Sequence, residues 1–247
     1  MSDRHVVVAP TRDALVTLVA ERFIGTITDV LEGQPEAHIA LTGGTVGIAV
    51  LAELGHTAHT LDWSRIHLWW GDERWVAADS VDRNDGQALR ALAPLGIPAD
   101  RIHRFAAADS RVTLDQAAVD AANELAQFGS AAQPYPSFDV AFLGVGPDGH
   151  IASLFPGLPG IDVTDSAVIA VRSSPKPPPE RLSLTLPVLN AAQRVWLVLG
   201  GADKAQALGE IVREAAPCDI PAAGVAAAET VIFADQDAAA EVPAHLR

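Results

Sequence analysis

Short runs of consecutive apolar residues recur along the chain, and most lead into a stretch whose apolar positions are spaced three and four apart. HVVVAP precedes residues 11–31, HIALTGG precedes residues 45–54, and RIHLWWG opens onto a polar loop. The second half continues with FDVAFLG, SAVIAVR, RVWLVLGG and TVIFA, and residues 203–215 read as a helix between the last two. A strand with one face in water alternates apolar and polar residues, so runs that are apolar throughout predict strands covered on both faces. The pattern predicts a doubly wound α/β fold with a mostly parallel sheet and helices on both faces.

Local signals agree with the periodicity. Thr11 is placed to cap a helix in which Leu15, Val16, Leu18, Val19, Phe23, Ile27, Val30 and Leu31 form one broad stripe. Residues 113–128 are Ala-rich and end before Gly129, a suitable helix stop. Two proline-rich stretches, 133–137 and 174–180, are short and lead straight into further apolar runs. They read as loops inside a single domain spanning residues 1–247, a length that one large α/β domain accommodates.

Charge changes the picture of partners. Seventeen Lys and Arg against 31 Asp and Glu give a net charge of −14, which disfavours nucleic acid and anionic membranes unless basic residues are gathered locally. No basic block appears, and no apolar run approaches the ~18 residues of a membrane span. The start, MSDRHVVVAP, lacks the apolar segment of a signal peptide, so the expected compartment is the cytoplasm. The lone Cys218 forms no internal disulfide and no thiolate zinc site, and the histidines show no metal-ligand spacing, so no metal is assigned. Oligomeric state is left open. For an anionic substrate the few cations must cluster at its site, which draws attention to Arg74, Arg172, Lys176 and Arg181.

In an open parallel sheet, ligands bind beyond the carboxyl ends of the strands, and four loops follow or adjoin predicted strands. In LTGGTVG (41–47), the backbone amides around Gly43 and Gly44 and the hydroxyls of Thr42 and Thr45 suit a phosphate, although an ordinary strand-to-helix turn reads the same way. The G-K-[ST] ending of a Walker loop is absent. In WWGDERWVAADSVDRND (69–85), Asp72, Glu73 and Arg74 leave the end of an apolar strand, where burial demands partners for each charge and Arg74 can grip phosphate or an oxyanion. RSSPKPPPERLSLTLPVLN (172–190) holds Lys176, Glu180 and Arg181 on a stretch stiffened by proline, or is a rigid connector.

GVGPDGHIASLFPG (144–157) carries a G-x-G-x-x-G spacing, but Pro156 and Gly157 interrupt the helix that a dinucleotide site requires, and Asp148 would face pyrophosphate with like charge. No nucleotide cofactor is expected. Asp148 and His150 instead offer a carboxylate and an imidazole two residues apart. Imidazole, with a reference pKa near 6.5, accepts a proton from water at neutral pH, and the carboxylate fixes its tautomer.

Taken together, LTGG, WWGDERWV, FDVAFLGVGPDGHIASLFPG, SPKPPPERLSLTLPVLNAAQ and GGADKAQAL make the chain resemble the 6-phosphogluconolactonases, within the superfamily they share with glucosamine-6-phosphate deaminase/isomerase. The resemblance implies a Rossmann-like α/β fold without a nucleotide cofactor, and hydrolysis of the sugar phosphate 6-phospho-D-glucono-1,5-lactone to 6-phosphogluconate in the oxidative pentose phosphate pathway. It implies His150 as general base, Asp148 as its companion, Arg74, Lys176 and Arg181 as cationic contacts, and the turn of Gly43, Gly44 and Thr45 as phosphate cradle. Two positions depart from the family pattern. Val46 and Gly47 stand where a hydroxyl residue and a proline are common, and Arg83 replaces a small hydroxyl residue between Asp82 and Asn84, which puts substrate contacts from that loop in question. Lys204 reads as a solvated residue of a helix first turn. Two alternatives stay open: amino-sugar deamination and isomerisation, whose enzymes typically carry a glutamate soon after the histidine where this chain has SLFP, and a sugar-phosphate sensor that binds without turnover.

Overall fold

Hydrogen-bonding partners decide where each apolar run goes. In the computed structural model, which describes residues 3–246, the elements run β1 (Asp3–Ala9), α1 (Arg12–Gly33), β2 (Ala37–Leu41), α2 (Thr45–Thr57), β3 (Ile66–Trp70), β4 (Asp72–Arg74), α3 (Asn84–Leu92) and α4 (Leu114–Ala126). They continue with β5 (Val140–Gly144), β6 (Val168–Val171), β7 (Arg181–Leu184), α5 (Leu186–Asn190), β8 (Arg194–Leu199), α6 (Ala205–Val212) and β9 (Glu229–Asp235). Met1, Ser2 and Arg247, at the ends of the expected domain, lie outside the described residues.

Six strands form a wholly parallel sheet in the order β1-β9-β8-β5-β2-β3. Every residue of β3 is buried, as are the first four of β5 and the last five of β8, which is the physical content of their uniformly apolar sequences. The expected caps are present: Thr11 Oγ1 accepts from Ala14 N at 3.2 Å, and Thr113 Oγ1 accepts from Gln116 N at 3.2 Å. α1 packs on α2 and α2 on α3, while α4 packs on β6 and β7.

One strand leaves the expected sheet. SAVIAVR becomes β6, which pairs antiparallel with β7, and β7 pairs antiparallel with β4, giving a separate sheet of order β4-β7-β6. The physical reason is chain length. The proline-rich segment between β6 and β7 suffices for an antiparallel return but not for the helical crossover a parallel pair needs. A second difference is α3, where the sequence reads only as a polar loop up to Asp85, and a third is the end of residues 203–215, where the helix is the shorter α6 preceded by a 3-10 turn at Ala202–Lys204.

The small sheet is tied to the large one at Gly71, whose N–H donates to Leu41 O at the end of β2 and whose carbonyl accepts from Leu184 N at the end of β7, each at 2.8 Å. It therefore lies beside the carboxyl ends of the parallel strands.

Candidate active site

The turns after β2, β5 and β8 and the inner edge of the small sheet enclose a cleft of about 310 Å³. Its β2 side is a helix start left open. Gly44, at φ 81°, caps α2 in a conformation that side-chain-bearing residues rarely adopt, no side chain caps the helix, and its first turn holds no acidic residue. The first bond of that helix runs from Ile48 N to Gly44 O, so the amides of Thr45, Val46 and Gly47 precede the intrahelical ladder and carry the positive end of the helix dipole. Thr42 Oγ1 accepts from Gly144 N at 3.1 Å and so joins this turn to the one after β5.

On the β5 side, His150 Nδ1 lies 2.5 Å from Asp148 Oδ1. Gly146 makes this possible, because a Cβ there would overlap both the imidazole and the carboxylate. Lys176 Nζ lies 3.2 Å from Asp148 Oδ1 and 3.2 Å from His150 Nδ1. Asp148, an acceptor for both, fixes Nδ1 as the protonated nitrogen, which leaves Nε2 with a lone pair and no partner among the described residues. Burial alone would raise the Asp148 carboxyl, but the hydrogen bond and charge of His150 and the Lys176 ammonium outweigh it and hold the group well below the usual carboxylate range. The ring packs 4.7 Å from Phe155 and keeps a partly open edge, with 17% of its side chain accessible.

β4 supplies the third wall. Asp72 Oδ2 accepts from Ser153 Oγ at 2.6 Å and lies 3.7 Å from Arg181 Nη1. Arg181 itself donates to the carbonyls of Lys176, Pro177 and Pro178 and stands over the Phe155 ring. This guanidinium therefore pins the proline-rich loop that carries Lys176. Arg74 donates to Asp82 O at 2.7 Å and lines the cleft, its buried Nε unpartnered. Glu73 points the other way, accepting from the amides of Arg74, Asn84 and Asp85.

Most of the residues singled out from sequence gather at one place: Thr42, Gly43, Gly44, Thr45, Asp72, Arg74, His150, Lys176 and Arg181 line the cleft, and Asp148 backs His150, whereas Glu73, Glu180 and Arg172 are not in the lining. The structure redistributes three other cations. Arg172 pairs with Asp115 at 2.8 Å on the surface, away from the cleft lining. Arg83 is buried and turned from the cleft, gripping Asp85 and the carbonyl of Phe105, so the neighbouring Asn84 is left to line the site. Lys204, expected to be solvated, is only 19% accessible and lines the cleft beside Asp203. Arg12, Asn84, Asp203 and Lys204 are polar lining residues that the sequence reading does not single out. Arg12 and Lys204 carry a legible signal, since each follows the carboxyl end of a parallel strand within a few residues; Asn84 has none, because α3 went unread.

An open parallel α/β sheet with a cation-lined cleft at its strand ends is the class this architecture defines. Residues 10–233 match the family described as glucosamine-6-phosphate isomerases/6-phosphogluconolactonase. The chain belongs to that family. It is 42% identical over 238 residues to a 6-phosphogluconolactonase of Mycobacterium tuberculosis, covering 95% of this chain and 96% of that one. To a 6-phosphogluconolactonase of Streptomyces coelicolor it is 43% identical over 259 aligned positions, covering 100% and 98%. The solved structure of 6-phosphogluconolactonase from Trypanosoma brucei superposes with a TM-score of 0.86 at 26% identity, covering 98% of this chain and all of that one. A monomeric glucosamine-6-phosphate deaminase, at 18% identity and a TM-score of 0.75, shares the fold.

Proposed function

We propose that this chain is a 6-phosphogluconolactonase, acting as a single domain on 6-phospho-D-glucono-1,5-lactone in the oxidative pentose phosphate pathway. The observation that carries the mechanism is the Asp148–His150 pair, with Nδ1 engaged and Nε2 free at the edge of a cleft whose far wall is an uncapped helix start. His150 Nε2 removes a proton from water as the water oxygen bonds to the lactone carbonyl carbon. The imidazolium that forms is stabilised by Asp148. As the tetrahedral intermediate collapses, the bond from that carbon to the ring oxygen breaks and the proton on Nε2 passes to the departing oxygen, leaving a hydroxyl and a carboxylic acid that ionises.

The cations divide by position. Lys176, within 3.2 Å of both members of the pair, stands at the reacting end, where it and Arg74 offset oxyanion charge. The amides of residues 45–47 and the Thr45 hydroxyl receive the phosphate, with Thr42, Gly43 and Gly44 shaping the turn. Asp72 orients the small-sheet wall through Ser153 and Arg181 and accepts from substrate hydroxyls. Arg12, Arg74, Lys176, Arg181 and Lys204 all line the cleft, against Asp72 and Asp203, in a molecule of net charge −14. This local reversal of sign favours an anionic substrate.

The deciding assay follows acid release from freshly generated lactone over its spontaneous background. Wild type accelerates it, and His150→Ala, still folded, loses roughly 10²- to 10⁴-fold in kcat. Wild-type turnover by the His150→Ala variant would sink the general-base role. Ammonia release from glucosamine 6-phosphate would point to the deaminase reading, and binding without acid release to the sensor.

A further inference from the structure

We propose that Arg12 is a phosphate-binding residue, supplying from α1 the side-chain contact that Val46 cannot provide. The inference rests on the reading above that the phosphate lies at the start of α2.

Three observations place Arg12 there. It lines the same cleft as Val46, Gly200 and Lys204. The start of α1 is held against that end of the cleft by Leu15, one turn further along the same helix face and wholly buried. A Cβ added to Gly200 would lie 3.0 Å from Val46 Cγ2 and 3.7 Å from Leu15 Cδ2, so the starts of α1 and α2 meet at the end of β8. The Thr11 cap fixes where α1 begins and hence where Arg12 leaves it.

The other cations of the cleft are engaged. Lys176 pairs with Asp148, Lys204 with Asp203, Arg74 holds Asp82 O, and Arg181 holds three loop carbonyls. The Arg12 side chain is exposed and makes no hydrogen bond or ion pair among the described residues. The chemistry at this end leaves room for it. Backbone amides at the α2 start offer donors of partial charge, the Val46 side chain offers none, and a phosphate dianion presents several acceptor oxygens that a guanidinium fork meets in pairs. Ordering a long exposed side chain offsets part of the gain, so the expected effect is moderate.

Inorganic phosphate, titrated calorimetrically into the intact protein, is expected to bind roughly tenfold more weakly to Arg12→Ala than to wild type. Arg22→Ala, which removes an exposed cation further along α1, is expected to leave phosphate affinity unchanged. In steady-state hydrolysis of the phosphorylated lactone, Arg12→Ala is expected to raise KM by a similar factor and leave kcat within about twofold. Unchanged phosphate affinity in Arg12→Ala, an equal loss in Arg22→Ala, or a fall in kcat with KM unaltered would each overturn the proposal. Failure of wild type to hydrolyse the lactone would sink the proposed activity instead, and the phosphate titration would still judge Arg12.

Discussion

Gly146 shows how a single missing atom makes room for the proposed catalytic pair. The first two glycines of its G-x-G-x-x-G spacing, Gly144 and Gly146, do not approach a pyrophosphate. Gly144 donates its amide to Thr42, and Gly146 leaves the volume that the imidazole of His150 and the carboxylate of Asp148 share. A Gly146→Ala substitution keeps every polar group but displaces the ring. Because misplacement by about 1 Å can cost on the order of 10²-fold, kcat is expected to fall by that order while thermal stability changes little. Rates near wild type in Gly146→Ala would mean that the observed ring position is not the working one. The neighbouring Glu73 serves the scaffold. Burial and the nearby Asp85 charge push it up to about 7, while the amides of Asn84 and Asp85 and the Arg83 guanidinium act in the opposite direction. Glu73→Gln would turn an NH₂ toward at least one backbone donor, and a buried unsatisfied donor costs about 1–3 kcal/mol. The expected loss of roughly 2–12 °C in Tm for a chain of this size is readable by calorimetry.

At the scale of elements, the cleft depends on segments that sequence treats as connectors. The proline-rich loop between β6 and β7 looks like a spacer, yet Arg181 at its end donates to three of its carbonyls and so sets the height of Lys176 over Asp148. Arg181→Met removes those donors while retaining much of the apolar stem. We expect Lys176 to lose its fixed position, with kcat falling more than KM rises, and increased proteolytic cleavage within residues 172–180. A variant with unaltered kcat and an intact loop would show that the prolines alone hold it. Both α1 and α2 begin beside the cleft, and their caps differ for a reason: α1 is closed by Thr11, whereas α2 has only Gly44 and leaves its amides available.

For the molecule as a whole, the end of the sheet opposite the cleft carries its own acid sensitivity. His38 and His67 are register partners near the starts of β2 and β3, and His103 joins them in a stack whose rings lie 4.5 and 5.1 Å apart. Burial first, then the neighbouring imidazoles and Arg101, with Glu36 opposing, lower His38 to about 4. His67 is lowered for the same leading reason. Such groups are neutral in the folded state and charge more readily when unfolded. Their stabilisation is complete above the unfolded value near 6.5 and is lost as pH falls toward the folded value. For His38 this amounts to roughly 3 kcal/mol between pH 6.5 and 4. Thermal unfolding is expected to show a steep acid arm across that window, flattened in His38→Gln; an unaltered arm would assign the acid sensitivity elsewhere.

Sequence by itself determined the six strands of the parallel sheet, because residues buried on both faces must be apolar at every position, and that requirement is written locally in FDVAFLG or RVWLVLGG, whereas β4 and β7 lie in segments that read as loops. It also placed the proposed catalytic pair on one turn, since Asp148 and His150 sit two residues apart. Tertiary structure alone decided the partition of strands into two sheets and the division of the cations. Arg12, Arg74, Lys176 and Lys204 come from four separate segments, and Arg83, which grips Asp85 two residues on, is turned from the cleft also by Phe105 O more than twenty residues away. Contacts across such distances are set by how layers pack, and local sequence carries no record of that packing.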